Sequence, residues 1–148
     1  MSYSLLFYVL LVLCVYICYT DLLQRKIFNS SVAIVFLFGL YLSNQNLSSI
    51  FLSLGICFLI GILLIVAPIW GGGDSKLLIA LSPLFTPMQL PDFFIATLLC
   101  GGVLSVIYWI KYRMIFKKAI DVGLPYGVAI VCGAILSLYF SQGLTSYS

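Results

Sequence analysis

The chain has 148 residues, of which 64% are hydrophobic and 7% are charged, against about 45–50% and about 25% in soluble domains. With seven basic residues, four acidic ones and a mean hydropathy of +1.22, it cannot cover a water-soluble surface. A soluble enzyme, a disordered chain and a nucleic-acid binder are thereby excluded. The sequence contains no histidine, the commonest general base and metal ligand, so acid–base chemistry falls to Asp, Lys, Tyr or Cys.

A membrane-spanning helix needs about 20 apolar residues, with a range of roughly 17–25. In chain order, six candidates appear: Tyr3–Thr20, Phe28–Ser43, Ile50–Trp70, Ser75–Met88, Phe93–Ile110 and Leu124–Ser141. None has a polar face, which suits lipid on one side and packed helices on the other. The fourth is short and contains Pro83, where a kink is expected. The first lacks a basic n-region and a small-residue cleavage site, so it reads as a retained helix rather than a signal peptide. The expected fold is an all-α integral membrane protein, a single domain over 1–148 built as a six-helix transmembrane bundle. Tyr3, Tyr19, Tyr41, Trp70, Trp109, Tyr112 and Tyr139 near span ends fit an interfacial aromatic belt.

The connections differ in chemistry. The stretch from Ser43 to Ser49 is polar and uncharged, Pro87–Pro91 is a proline-bounded turn, and the tail from Ser141 carries no charge. Arg25 and Lys26 follow the first span, Lys76 follows the third, and Lys111, Arg113, Lys117 and Lys118 follow the fifth. Six crossings put all seven basic residues on one side, which the positive-inside rule makes cytoplasmic; both termini then face outward. Five crossings would split the basic loops. Cys14, Cys18, Cys57, Cys100 and Cys132 all lie inside spans without a CxxC pair, and read as small packing residues rather than zinc ligands.

Each of the four carboxylates can be weighed. Asp92 follows Pro91 and opens the fifth span, a place for a helix cap. Asp121 follows Lys117 and Lys118 and reads as a solvated loop residue. Asp21 ends the first span, and Asp74 closes Gly71-Gly72-Gly73-Asp74 before the fourth. Ionisable groups beside membrane spans are costly and mark functional sites, and these two meet at one depth. The glycine run permits unusual backbone conformations and close approach of another chain. The alternative reading is a flexible turn with a capping Asp.

Paired carboxylates imply a definite chemistry. Two near one water cannot both ionise easily, so their proton affinities separate. The ionised partner takes a proton from water, which attacks a carbonyl carbon. The protonated partner hydrogen-bonds the carbonyl and helps protonate the leaving amine. Neither a metal nor a cofactor is required. Helix polarity suggests Asp74, at a helix N-terminus, as the base, and Asp21, at a C-terminus, as the holder of the shared proton. Arg25, one turn on, opposes that assignment if the first helix continues.

These residues resemble those of the type IV prepilin peptidase family. The matching features are Asp21 before Ile27-Phe28-Asn29, then Gly71-Gly72-Gly73-Asp74-Ser75-Lys76-Leu77-Leu78, and late in the chain Leu124-Pro125-Tyr126-Gly127-Val128-Ala129-Ile130. The last is similar to a segment of small members that serve tight-adherence (Flp-type) pili. The resemblance implies a membrane aspartic protease with Asp21 and Asp74 as the catalytic pair. Gly71 and Gly73 would be the glycines of its GxGD motif, and Lys76 and Asn29 would support the loop or the substrate. It implies a prepilin substrate with a short basic leader, cut at the cytoplasmic face of the bacterial inner membrane, and pilus assembly or secretion machinery and membrane lipid as partners. Phe28 stands where relatives have Pro, which leaves the loop conformation open. The first loop, residues 21–27, contains no cysteine and lacks the insert of bifunctional relatives, so cleavage without N-methylation is expected.

Two other readings compete. An intramembrane protease of the presenilin kind would place both aspartates within the membrane. A non-enzymatic subunit or an ion-coupled carrier would tolerate loss of Asp74 or want carboxylates at the midplane.

Overall fold

The computed structural model describes residues 3–67, 71–111 and 124–145. Trp70, Tyr112, Arg113, Lys117, Lys118 and Asp121 lie outside these residues, as does the side chain of Tyr3. Among the described residues the chain forms six helices, α1 (Tyr3–Gln24), α2 (Asn29–Leu42), α3 (Leu47–Val66), α4 (Gly72–Leu81), α5 (Leu90–Ile110) and α6 (Tyr126–Thr145), and no strand. Among the described residues the protein is all-α, as its long apolar runs predict. Leu5–Gln24 of α1 and the whole of α3 and α5 are long and apolar enough to cross a membrane, and α2 and Tyr126–Ser141 of α6 are shorter apolar stretches.

The fourth segment departs most from its expected extent. A helix over Ser75–Met88 with a kink was the expectation; the α-helix stops at Leu81 and tightens into a 3-10 turn, Ser82–Leu84. The cause is Pro83, which has no N–H to give to the carbonyl of Ile79. The Ser82 hydroxyl donates to that carbonyl instead, at 2.8 Å. At about 1.5 Å per residue, the ten residues of α4 cover about half of a ~30 Å hydrocarbon layer.

Instead of facing lipid, α4 forms the centre of the bundle. Leu77, Leu78, Ala80, Leu81 and Phe85 are almost completely buried. α2, α3 and α6 pack around it. Small residues set those approaches, as is usual where helices associate without water to drive them. A Cβ at Gly39 of α2 would stand 3.3 Å from the Ala80 carbonyl, and one at Gly61 of α3 would stand 3.3 Å from the Ser75 Cβ. The Ser75 hydroxyl donates to the Gly61 carbonyl at 3.1 Å, and the Ser53 hydroxyl to the Phe85 carbonyl at 2.9 Å. The rings of Phe85 and Phe93 stack at 4.5 Å, tying the 3-10 turn to α5. Outward faces of the long helices remain apolar and exposed, including Val12, Leu59, Val66 and Leu98, which suits lipid contact.

At one end of the bundle, Arg25 terminates α1. It takes a left-handed conformation, φ 54°, at the position where glycine is commonest, and its N–H donates to the Asp21 carbonyl at 3.1 Å. Its side chain holds it there: the guanidinium donates to the Tyr108 hydroxyl at 3.3 Å and lies 5.3 Å from that ring's centre. Lys111 approaches the same ring, at 5.8 Å. The end of α1 is thus fastened to the end of α5. Phe28, where proline was looked for, has φ −72° and ψ 132°, the conformation a proline would impose. A proline at this position could keep the same φ.

Candidate active site

The two singled-out aspartates come to the same end of the bundle, each against the start of a helix. Asp74 is the third residue of α4, and its Oδ2 accepts the backbone N–H of Gly71 at 3.1 Å. That bond satisfies one of the free donors at the helix start. Asp21 lies three residues before the end of α1, with 6% of its surface exposed. Its carboxyl group faces the first turn of α6, where the backbone N–H groups of Gly127 and Val128 point toward it. Its buried Oδ2 has no hydrogen-bond partner of good geometry, which leaves an acceptor available to a water or a substrate group.

Ile27 joins the two places. Its side chain is wedged between the start of α4 and the start of α6. A Cβ at Gly73 would meet the Ile27 Cβ at 3.3 Å; one at Gly127 would meet the Ile27 Cδ1 at 3.0 Å and the Asp21 Oδ2 at 2.7 Å. The loop after α1 therefore packs into a cleft that a Cβ at Gly73 or Gly127 would narrow, forcing Ile27 or Asp21 to shift.

The glycine run behaves differently from its expectation. Gly71 is extended, with φ −80° and ψ 158°, and Gly72 and Gly73 are helical, conformations open to any residue. A Cβ at Gly72 would touch nothing within 4 Å, and one at Gly71 would make ordinary contact with Asp74 at 3.4 Å. Of the three, Gly73 alone is there for close approach.

Burial pushes the Asp74 carboxyl up to about 6; the Gly71 N–H pulls it down, and the charge of nearby Asp21 pushes it up again. Asp74 is therefore mainly ionised at neutral pH yet basic enough to accept a proton from a water. Two carboxyl groups close enough to feel one another titrate as a pair.

The expected contrast in helix polarity does not hold. Asp21 belongs to the last turn of α1, but its carboxyl group also faces the N-terminal turn of α6, where partial positive charge favours an anion. Both carboxylates thus lie at helix N-termini, and the proton must be assigned on other grounds. Gly127 and Ile27 stood in the sequence only as parts of matching motifs, with no role at the site assigned to either. Pro125-Tyr126-Gly127 is a proline followed by glycine at a helix start, which gives no clue to what the glycine touches.

Lys76 and Asn29 also meet: the Lys76 ammonium donates to the Asn29 Oδ1 at 3.1 Å. Asp92 is exposed in the first turn of α5, where the dipole favours it.

The chain matches no curated protein and no solved structure. The model of the type IV leader peptidase family matches residues 8–106, a stretch that contains Asp21, Ile27, Asn29, Asp74 and Lys76 and stops short of Gly127. With two thirds of its length under that match, and with a membrane-type helical bundle that gathers two carboxyl groups at one end, the chain belongs to the type IV leader peptidase family.

Proposed function

We propose that the protein is a membrane aspartic endopeptidase. It removes the short basic leader of type IV prepilins of the Flp-like class at the cytoplasmic membrane face, without N-methylation. The observation that carries this reading is the approach of Asp21 and Asp74 around Ile27, at the end of the bundle that holds Arg25, Lys76 and Lys111. In the proposed topology this end faces the cytoplasm, α4 together with the 3-10 turn and the residues leading to α5 makes the fourth of six crossings in the interior, and both termini lie outside.

Asp74, ionised near neutral pH, takes a proton from a water held between the two carboxyl groups. The water oxygen bonds to the scissile carbonyl carbon. Two adjacent carboxylates resist double ionisation, so in the state in which Asp74 is ionised the shared proton rests on Asp21, the role proposed for it. Its hydrogen bond to the carbonyl oxygen stabilises the charge that develops there. The tetrahedral carbon then expels the amine, which takes up the proton gained by Asp74. Gly73 and Gly127 leave room for Ile27 and Asp21 to take these positions. Gly71 supplies the N–H that holds the Asp74 side chain before its reaction.

The test is leader removal from a co-expressed prepilin by the wild-type chain, Asp21→Asn and Asp74→Asn, each at matched membrane levels. Both variants should leave the precursor uncut. Continued processing by both would overturn the proposal.

A further inference from the structure

Residues 26–28 join α1 to α2 without belonging to either helix. Both ends of this strap are tied down. Arg25 donates to the Tyr108 hydroxyl of α5 at 3.3 Å, and Asn29 accepts from the Lys76 ammonium of α4 at 3.1 Å. Between these anchors Lys26 and Phe28 are exposed, while Ile27 is half-buried and packs against the core. Of the three, Ile27 alone sends its side chain into the bundle.

That side chain meets two helices. The three atoms nearest to a Cβ at Gly73 would all belong to Ile27, its Cβ at 3.3 Å and its Cγ1 and Cδ1 at 3.7 Å. A Cβ at Gly127 would meet the Ile27 Cδ1 at 3.0 Å. Ile27 therefore fills the space between the start of α4 and the start of α6. Each start also holds one carboxyl group. Asp74 follows Gly73 directly, and the Gly71 N–H fixes its Oδ2 at 3.1 Å. The Asp21 Oδ2 crowds the same point beside Gly127 as the Ile27 Cδ1, at 2.7 Å against 3.0 Å. In a packed interior a change of one methylene is felt by the neighbours, and here the neighbours are the two helix starts.

We propose that Ile27 is a positioning residue for the cleavage: the reach of its side chain from Gly73 to Gly127 sets the gap between the Asp74 and Asp21 carboxyl groups. The proposal rests on the endopeptidase reading and adds what fixes the geometry of its carboxyl pair. A water shared by the pair must lie about 2.6–3.2 Å from each carboxyl, so the gap has little tolerance. Ile27 has no polar side-chain atom and moves no proton. It acts only through where the aspartates stand.

The test varies the reach of residue 27 and reads the gap and the rate separately. The gap is read on the full chain in detergent, carrying Asp21→Cys and Asp74→Cys, with the native cysteines changed to Ala. Bifunctional thiol reagents of graded length then report the span that links the two positions. Ile27→Leu has equal reach and should leave the preferred reagent unchanged. Ile27→Ala should shift it to a shorter one, as the helix starts close on the lost volume. The rate is read with both aspartates present and a purified prepilin. Ile27→Leu should keep kcat within about twofold of wild type. Ile27→Val, which lacks Cδ1, should lower kcat about tenfold and Ile27→Ala about a hundredfold, with KM nearly unchanged. Gly73→Ala, which presses on Ile27, should lower kcat about tenfold in wild type and add little in Ile27→Ala, where the shortened side chain can give way.

A reagent preference indifferent to residue 27 would overturn the inference. So would a loss that appears in KM instead of kcat, an Ile27→Leu variant as slow as Ile27→Ala, or additive effects of Gly73→Ala and Ile27→Ala. Asp74→Asn run in parallel separates the two levels. Cleavage by that variant defeats the endopeptidase reading and leaves the reagent result standing. Its inactivity, with full kcat in Ile27→Ala, defeats only the role of Ile27.

Discussion

Two helix starts meet the carboxyl pair, and they are built in opposite ways. The start of α4 has three consecutive glycines, yet a Cβ would fit at Gly71, touch nothing at Gly72 and press on Ile27 only at Gly73, at 3.3 Å. The start of α6 has a single glycine after Pro125-Tyr126, and a Cβ there would stand 2.7 Å from the Asp21 Oδ2. Glycine density along the chain is thus a poor guide to steric demand. What matters is whether another element presses on the Cα. At α6 the pressing groups are a carboxyl oxygen and the side chain between the two aspartates.

The largest expected effect removes either carboxylate. Asp21→Asn and Asp74→Asn should each lower the cleavage rate by ~10²–10⁴-fold, read as precursor remaining at matched enzyme levels.

Next comes Gly127→Ala. The added methyl must displace Asp21 or Ile27, and a displacement of about 1 Å at a reacting group costs about a hundredfold. Gly72→Ala, two residues before Asp74, should leave cleavage unchanged and raise stability by about 1 kcal/mol. Reversal of that order would break the comparison between the two helix starts.

The pH dependence is of intermediate size. Asp74 is shifted from 3.8 to about 6, so the folded chain holds this proton more tightly than the unfolded chain. Its contribution to stability is fully present below about 3.8 and is lost as pH rises through about 6. Asp74→Asn should remove this dependence and make the fold more stable than wild type above pH ~7, as thermal unfolding in detergent would show. If Asp74 is the base, cleavage by wild type should rise through about pH 6 and fall about tenfold per unit below it.

The smallest effect concerns the loop before α2. Phe28 already has φ −72°, so Phe28→Pro should preserve cleavage and stabilise by about 0.4–1 kcal/mol through the unfolded chain. Loss of cleavage would show that the Phe28 ring itself is needed.

Much of the fold was legible before any coordinates, because apolar runs and their polar breaks are one-dimensional features. α2 was expected over Phe28–Ser43 and runs Asn29–Leu42; α5 was expected over Phe93–Ile110 and begins at Leu90. The fourth element was misjudged because hydropathy does not separate a helix facing lipid from one buried among other helices. Leu77, Leu78 and Leu81 are equally apolar in both settings. Of the candidate site, Asp21 and Asp74 stood out as charges where charge is expensive. Lys76 and Asn29 could be listed, but their contact joins residues 47 apart.

By itself the sequence pointed to a membrane protein built of helices, since continuous apolar runs of about 20 residues suit spanning helices and not the alternating short strands of a barrel. It also confined any acid–base chemistry to Asp, Lys, Tyr or Cys, because no histidine is present. Tertiary structure alone decided which helix start faces each aspartate and that Gly127 rather than the glycine run is the tight contact. These depend on how helices far apart in the chain pack, and packing distances of a few ångströms leave no periodic trace along a sequence.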